Sequence, residues 1–142
     1  MKFKENLKKK NFIEILNNKN ETINIKTPML KCPFGLEEEY NKFLVKLELT
    51  NYKNDLEINN FFKQIISIEE EVKKFMEKDE LFYNDIIRYS DKFDPLIKFY
   101  LPFRYNKFEV DFYKNKNLTT SKEITKGCKL KLDLDVLSIW KF

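Results

Sequence analysis

The sequence contains no histidine and no alanine, and it has only two glycines, two cysteines and two arginines. Histidine is the usual general base near neutral pH and a common zinc ligand, so its absence argues against most acid–base and zinc chemistry. The isolated Gly35 and Gly127 cannot form a glycine-rich phosphate loop. Cys32 and Cys128 form no CxxC pair, and we interpret them as buried free thiols. We therefore expect no enzyme activity, no metal and no cofactor.

Long hydrophobic runs are also absent. No apolar stretch approaches the length of a membrane span, and the basic start MKFKENLKKKNF lacks the apolar core of a signal peptide. The 142 residues suit one domain, which is large enough to bury a core without disulfides or metals. We expect an intracellular protein without a membrane partner.

The net charge of +4 is unevenly distributed along the chain. Residues 1–32 carry a net charge of +5, residues 33–90 carry −5, and residues 91–142 carry +4. Positive charge is typical of proteins that bind nucleic acid. Lysine is abundant here together with asparagine and isoleucine, which AT-rich codons specify. The positions of the lysines are therefore more informative than their number.

Alternation of apolar and polar residues predicts five strands, and apolar residues at three- to four-residue steps predict helices. The predicted strands are residues 22–28, 41–52, 96–104, 107–114 and 128–136, and the predicted helices are 56–78 and 80–90. Residues 1–21 are expected to form a basic N-terminal arm, in which FIEIL at 12–16 is compatible with a short strand or a helical turn.

The order of these elements indicates a mainly β fold of the α+β class, because runs of alternating strands favour antiparallel pairing. Residues 22–142 would form a single domain with a helical insertion at 56–90 after the second strand. Five strands with one insertion are compatible with an antiparallel Greek-key barrel of the oligonucleotide-binding (OB) type. Composition and periodicity alone do not establish that barrel.

The outward faces of the predicted strands carry lysines and aromatic residues. If the strands share one sheet, these side chains form the basic, aromatic surface that binding of single-stranded nucleic acid requires; the alternative is an ordinary solvated face. The candidates are Lys46, Lys98, Tyr100, Arg104, Lys129 and Lys131, with Lys42 and Tyr113 beside them. The proline-flanked loop PMLKCPFG at 28–35 holds Phe34 at its tip, either for base stacking or as a plug for the core.

Two aspartates interrupt the basic character of the final strand, KLKLDLDVLSIWKF. Asp133 and Asp135 share one strand face, where two carboxylates are able to bind Mg²⁺ in a nuclease, but they also commonly make an exposed strand soluble. Because carboxylates repel phosphate, we expect a DNA path to leave this strand near Leu132.

The order of four segments resembles a known family. The segments are INIKTPMLKCPFGLEEEYNKFLVKLELTN, NNFFKQIISIEEEVKKFM, DPLIKFYLPFRYNKFEVDFYKNKN and KGCKLKLDLDVLSIWKF. The chain resembles the single-stranded DNA-binding proteins of nucleocytoplasmic large DNA viruses, which are related to the single-stranded DNA-binding protein of T-seven-like phages. The resemblance covers residues 22–142 and lies in the order and spacing of a TP and PFG, an LP strand with its hairpin partner, and a final IW.

The resemblance implies an OB-fold barrel and sequence-independent binding of single-stranded DNA in viral replication or recombination, without a cofactor. It implies roles for Lys31 and Phe34 in the loop and for Trp140 in the IW element. It also implies a location in a viral factory of the host cytoplasm or nucleus, with replication proteins as further partners.

The chain departs from the family at its end. Relatives continue past IW through a glycine turn into one more strand, whereas this sequence has only two residues there. That strand is missing, replaced by residues 12–16, or supplied by a second copy, which would make a homodimer through an open barrel edge.

Two other functions stay open on the sequence alone. A structural or protein-interaction subunit of a viral or replication complex would use the acidic helix at 57–80 as its binding face. A metal-dependent nuclease would depend on Asp133 and Asp135.

Overall fold

The computed structural model describes residues 1–5, 12–78 and 85–140, and the side chains of Ile139 and Trp140 lie outside this description. The described residues form short strands and one α-helix. From the N-terminus to the helix, the elements are β1 (Lys2–Glu5), β2 (Phe12–Leu16), β3 (Ile23–Lys26), β4 (Leu30–Cys32), β5 (Glu37–Glu39), β6 (Lys42–Glu48) and α1 (Leu56–Lys78). Those that follow are β7 (Ile87–Arg88), β8 (Leu96–Leu101), β9 (Phe103–Arg104), β10 (Lys107–Phe108), β11 (Phe112–Lys114), β12 (Asn117–Thr119), β13 (Cys128–Leu130), β14 (Asp133–Val136) and β15 (Ser138–Trp140).

The fold is mainly β with antiparallel pairing throughout the described ladders, which confirms the predicted α+β class. The strands of the described ranges form several open sheets and no closed barrel. The helix predicted at 56–78 is confirmed, since α1 has these bounds and follows β6, which lies within the second predicted strand. The additional strands β1, β4 and β5 are only three or four residues long, too short for their alternation to stand out. No helix of the described residues is long and apolar enough to cross a membrane.

The chain divides into two compact units. Unit 1 comprises Met1–Pro28, Asn60–Asp85 and Lys131–Phe142, and unit 2 comprises Met29–Asn59 and Ile86–Leu130. Both units are therefore assembled from segments that are distant in sequence.

Unit 1 contains a sheet of order β1–β2–β15, the pair β3–β14, and most of α1. Its core brings Ile13 and Ile15 of β2 against Val72 and Met76 of the helix. At the edge of this cluster the rings of Phe3 and Phe75 stack, with their centroids 4.3 Å apart. Residues 1–21, predicted as an arm, thus supply two strands, because alternate isoleucines of β2 are buried.

The end of the chain pairs with its beginning. Strand β15 pairs antiparallel with β2, so that Trp140 lies opposite Phe12. Residues 12–16, which were one of the three alternatives for a strand after IW, do form a strand and pair with the IW element.

The predicted final strand at 128–136 is two strands in different units, β13 in unit 2 and β14 in unit 1. The break lies at Lys131 and Leu132, where the charge of the sequence changes sign. Leu132 and Thr27 hold the start of the β14–β3 pair: the Leu132 N–H donates to Thr27 Oγ1 at 2.8 Å, and the Thr27 N–H donates to the Leu132 carbonyl at 2.9 Å.

Asp133 and Asp135 have a partner across this pair. The side-chain amide of Asn24 donates to Oδ1 of Asp133 and, at 3.0 Å, to Oδ1 of Asp135. Lys26 lies opposite Asp133 in the register. Both carboxylates therefore accept a hydrogen bond from an amide and lie beside a lysine. These neighbours account for the two negative charges on β14 without a bound ligand.

Unit 2 contains a sheet of order β13–β4–β6–β8–β7, with β5 paired to β6. One side of this sheet is a core in which Val45, Leu47 and Ile97 are fully buried. Ile87 of β7 is also buried and lies opposite Ile97. The second predicted helix is therefore wrong at residues 87–88, while residues 79–84 lie outside the described ranges.

The helix α1 begins at an aspartate cap. The Ile58 N–H donates to Oδ1 of Asp55 at 3.1 Å, which satisfies one of the free amides of the first turn. Glu69, which the charge pattern places on a solvated face, is buried instead. Its exposed neighbours Glu70 and Glu71 do lie on the solvent side.

The loop after β4 is held by glycine. Gly35 has φ +66°, and a Cβ atom at this position would lie 2.9 Å from the backbone N of Lys126 and from the backbone C of Thr125. The neighbouring Leu36 N–H donates to the Ile124 carbonyl at 3.2 Å. The loop that carries Phe34 is therefore pressed against the segment before β13.

Gly35→Ala and Gly127→Ala form a matched pair that tests this contact. Both positions have positive φ, but nothing lies within 4 Å of the Cβ built at Gly127. Each substitution should cost about 1 kcal/mol for its backbone conformation, and Gly35→Ala about 1–3 kcal/mol more for the backbone clash. Urea denaturation measures both losses; equal losses would contradict the close approach.

Candidate nucleic-acid interface

The register of unit 2 brings most of the predicted site residues to one face of one sheet. Lys46 lies opposite Lys98, Lys129 opposite Lys31, and Lys31 opposite Glu48. Because directly opposed residues, and residues two apart along a strand, point to the same side, these side chains share the face that is turned away from Val45 and Leu47. We call it the lysine face, defined by Lys31, Lys42, Lys46, Lys98, Lys129 and Tyr100.

Two aromatic rings accompany the lysines. Tyr100 is 52% exposed, and its ring lies 5.5 Å from the Lys42 ammonium and 5.7 Å from that of Lys98. Phe34 is 46% exposed, and Lys46 Nζ lies 5.4 Å from its ring centroid. Phe34 is therefore at the surface, as base stacking requires, and does not fill the core. Each ammonium group is also attracted to the face of its neighbouring ring by a cation–π interaction.

Three glutamates reduce the positive potential of the lysine face. Glu37 and Glu39 belong to β5 and form ion pairs with Lys46 at 3.6 Å and with Lys98 at 3.5 Å. Glu48 lies opposite Lys31. Sequence reasoning missed the first two, because it placed no strand at 37–39 beside the strand that carries Lys46. The signal was available in EEEYNKF, since the alternate glutamates precede a two-residue turn.

The lysines at the other edge of the sheet have a different environment. Lys31 and Lys129 are exposed, and none of the ion pairs found among the described residues includes them. Two ammonium groups on directly opposed positions repel each other, so their proximity destabilises the pairing of β4 with β13 by a few tenths of a kcal/mol, about as much as other like-charge pairs. A bound phosphate would relieve this repulsion.

The remaining predicted site residues lie elsewhere. Arg104 is on the β9–β10 hairpin of unit 2, where its Nε lies 3.5 Å from Oε1 of Glu109. Lys42, Tyr100 and Arg104 line an open groove beside the lysine face. Lys131 belongs to unit 1 and follows β13, and Trp140 is in β15 of unit 1, with its side chain outside the description. The structure therefore brings Arg104 near the face but leaves Lys131 and Trp140 in the other unit.

The aspartates proposed for a metal lie in unit 1. Within the described ranges no group of three or more cysteine, aspartate or glutamate side chains has a metal-binding arrangement. Asp133 and Asp135 are instead held by the Asn24 amide.

Cys32 and Cys128 lie opposite each other at the end of the β4–β13 pair, next to the Phe34 loop. Cys32 is fully buried and its thiol donates to the Gly35 carbonyl at 3.4 Å, whereas Cys128 is half-buried. Burial, and next the neighbouring Cys128, raise the pKa of the Cys32 thiol to about 11. The interpretation as a buried thiol is correct for Cys32, which anchors the loop and is a poor nucleophile near neutral pH.

Alkylation and alkaline unfolding test this assignment. At about pH 8, iodoacetamide should modify Cys128 before Cys32, as peptide mass spectrometry will show. Because an unfolded thiol ionises near 9.0 and folded Cys32 near 11, stability should fall as the pH rises between these values. Cys32→Val should remove that part of the fall, and Cys128→Ala should keep most of it, because burial is the larger cause of the raised pKa. Equal alkylation rates would contradict the burial.

Comparison of the chain with protein-family models, with curated proteins and with solved structures gives no match. Its function is therefore inferred from the chemistry of the lysine face and of the groove beside it.

Proposed function

We propose that the protein binds single-stranded DNA, independently of sequence, on the lysine face of unit 2. The observation that carries this proposal is the register of β4, β6, β8 and β13, which aligns five lysines with the exposed rings of Tyr100 and Phe34. A cationic surface that tracks the phosphates, combined with aromatic rings on which bases stack, is how nonspecific single-strand binding is achieved.

The two chemistries have separate roles. Lys31 and Lys129 would contact the phosphate backbone, releasing counterions and making the affinity dependent on salt. Tyr100 and Phe34 would stack on bases, whose π faces are alike for all four nucleotides, so that the contact is tolerant of sequence. Lys46 and Lys98 would exchange their glutamate partners for phosphate as the strand binds.

The proposal includes the OB type of fold and a role in viral DNA replication or recombination, as the resemblance to viral single-stranded DNA-binding proteins implies. Antiparallel β-sheets with α1 between β6 and β8 are compatible with that relationship. A subunit whose contacts are with other proteins is the alternative, and indifference to oligonucleotides would favour it.

Fluorescence anisotropy with a labelled oligo-dT of about 20 nucleotides tests the function directly. Wild-type protein should bind at low salt, and the logarithm of the affinity should fall linearly with the logarithm of the salt concentration. Lys31→Gln and Lys129→Gln should each reduce the slope by about 0.7. Tyr100→Ala should weaken binding roughly 5- to 100-fold with little change in slope.

Phe93→Ala is the matched control for Tyr100→Ala, since Phe93 is a 69% exposed aromatic residue that precedes β8, at the end of the strand away from Tyr100. It should bind as the wild type does. Duplex DNA and RNA of the same length measure the preference for single strands and for deoxyribose. Absence of binding at low salt would refute the proposal.

Removing the glutamate partners should improve binding. Glu37→Gln and Glu39→Gln leave Lys46 and Lys98 without their ion pairs, so these lysines become available to phosphate. An exposed ion pair is worth up to about 1 kcal/mol, so each change should tighten binding by about 2- to 5-fold. Glu77→Gln, on the exposed side of α1, is the control for the change in net charge. Unchanged affinity in both variants would show that the pairs do not compete with the ligand.

A further inference from the structure

The segment Tyr-Asn-Lys-Phe occurs twice in the chain, at 40–43 and at 105–108, and both copies form hairpin turns in unit 2. In the first, Glu39 pairs with Lys42, which leaves Tyr40 and Asn41 as the two turn residues. In the second, Arg104 pairs with Lys107, with the tyrosine and asparagine again at the tip. All four turn residues have φ between 52° and 63°, as a two-residue turn of type I′ requires.

The two tyrosines project almost fully into solvent. Tyr40 is 91% exposed and Tyr105 is 98% exposed, so neither ring stabilises the fold by packing. A residue with a Cβ atom is disfavoured at positive φ, and asparagine, aspartate or glycine would satisfy these turns with less strain. Two large, solvated aromatic rings at equivalent turn positions therefore have no structural role in the hairpins.

An aromatic cluster holds the bases of the two hairpins together. The phenylalanines that end the two copies, Phe43 and Phe108, have ring centroids 5.0 Å apart. Phe103 lies 4.7 Å from Phe43 and 4.9 Å from Phe108, and Phe112 extends the cluster at 5.3 Å from Phe108. The contact between equivalent residues fixes the position of one hairpin relative to the other.

Residues of both hairpins border the groove beside the lysine face. Asn41 and Lys42 come from the first hairpin, Arg104 comes from the second, and Tyr100 connects the groove to the lysine face. A second depression also contacts Arg104 and is lined by Tyr105, Lys107, Glu109 and Asp111. Lys42 and Arg104 border the groove near Tyr100, and Arg104 is also paired with Glu109 at 3.5 Å.

We propose that the two Tyr-Asn-Lys-Phe hairpins form a clamp that extends the binding site for single-stranded DNA beyond Tyr100. Tyr40 and Tyr105 stack on bases that leave the lysine face, while Lys42 and Arg104 contact the intervening phosphates. This inference rests on the function proposed above, and it assigns to that function two residues outside the sheet.

Tyr40→Asn and Tyr105→Asn, alone and together, are the test variants, because asparagine keeps the turn geometry. Each single change should weaken binding of an oligo-dT of about 20 nucleotides roughly 5- to 100-fold, and the double change should weaken it further. The salt slope should stay as in the wild type, since no charge is removed. Tyr40→Phe and Tyr105→Phe keep the aromatic ring and should therefore bind as the wild type does. If the asparagine variants lost binding only because the turn had changed, the aromatic ring would not matter.

Oligonucleotide length separates the clamp from the lysine face. A short oligo-dT of about 5 nucleotides occupies the face alone, so the Tyr→Asn variants should bind it with wild-type affinity while Tyr100→Ala does not. Phe93→Ala remains the control. If wild-type protein binds and Tyr100→Ala weakens binding, but the double Tyr→Asn variant matches the wild type on the long oligonucleotide, the clamp is refuted and the proposed function stands. If the wild type binds neither oligonucleotide, both are refuted.

Discussion

The antiparallel ladder between β6 and β8 is the constraint on which unit 2 depends. Six residues of each strand pair, from Phe43 opposite Leu101 to Glu48 opposite Leu96. The same register buries Val45 and Ile97 and turns Lys46 and Lys98 outward. Because side chains alternate with a period of two, a slip of one residue would drive the lysines into the core and expose the apolar residues. The burial of the core residues therefore determines which side chains point to the lysine face.

Charge on this face is balanced and not simply positive. Glu37 and Glu39 hold Lys46 and Lys98 in ion pairs, while Lys31 and Lys129 face each other at the opposite edge. Paired lysines contribute little attraction to a polyanion until the pairs open, whereas the opposed lysines gain from a shared counterion. Such an arrangement would moderate the affinity for DNA proposed above, and it keeps the folded sheet from strong self-repulsion.

The aromatic residues of unit 2 divide into two groups with different physical roles. Phenylalanines 43, 103, 108 and 112 pack in edge-to-face and tilted geometries and connect the hairpins to the sheet. Tyrosines 40, 100 and 105 are exposed. The hydroxyl distinguishes the groups, because a tyrosine ring is tolerated in water at less cost than a phenylalanine ring. Phe34 and Phe93 are exposed phenylalanines, and the glycine-anchored loop holds Phe34 at the surface.

Period-two alternation predicted, from the sequence alone, strands at 41–52 and 96–104, where the structure has β6 and β8. It separated the two faces of these strands, although Leu44, on the same side as Lys46, is fully buried. It also placed Lys46, Lys98 and Tyr100 correctly on a common face. Only the tertiary structure decided which strands are neighbours, since pairing between distant segments depends on contacts that no local pattern encodes. It paired β2 with β15, set the glutamates of β5 beside the lysines, and divided KLKLDLDV between two units at its change of charge. In the same way, the repeat of Tyr-Asn-Lys-Phe is visible in the sequence, but only the tertiary structure shows that the two copies are neighbours, because Phe43 packs on Phe108.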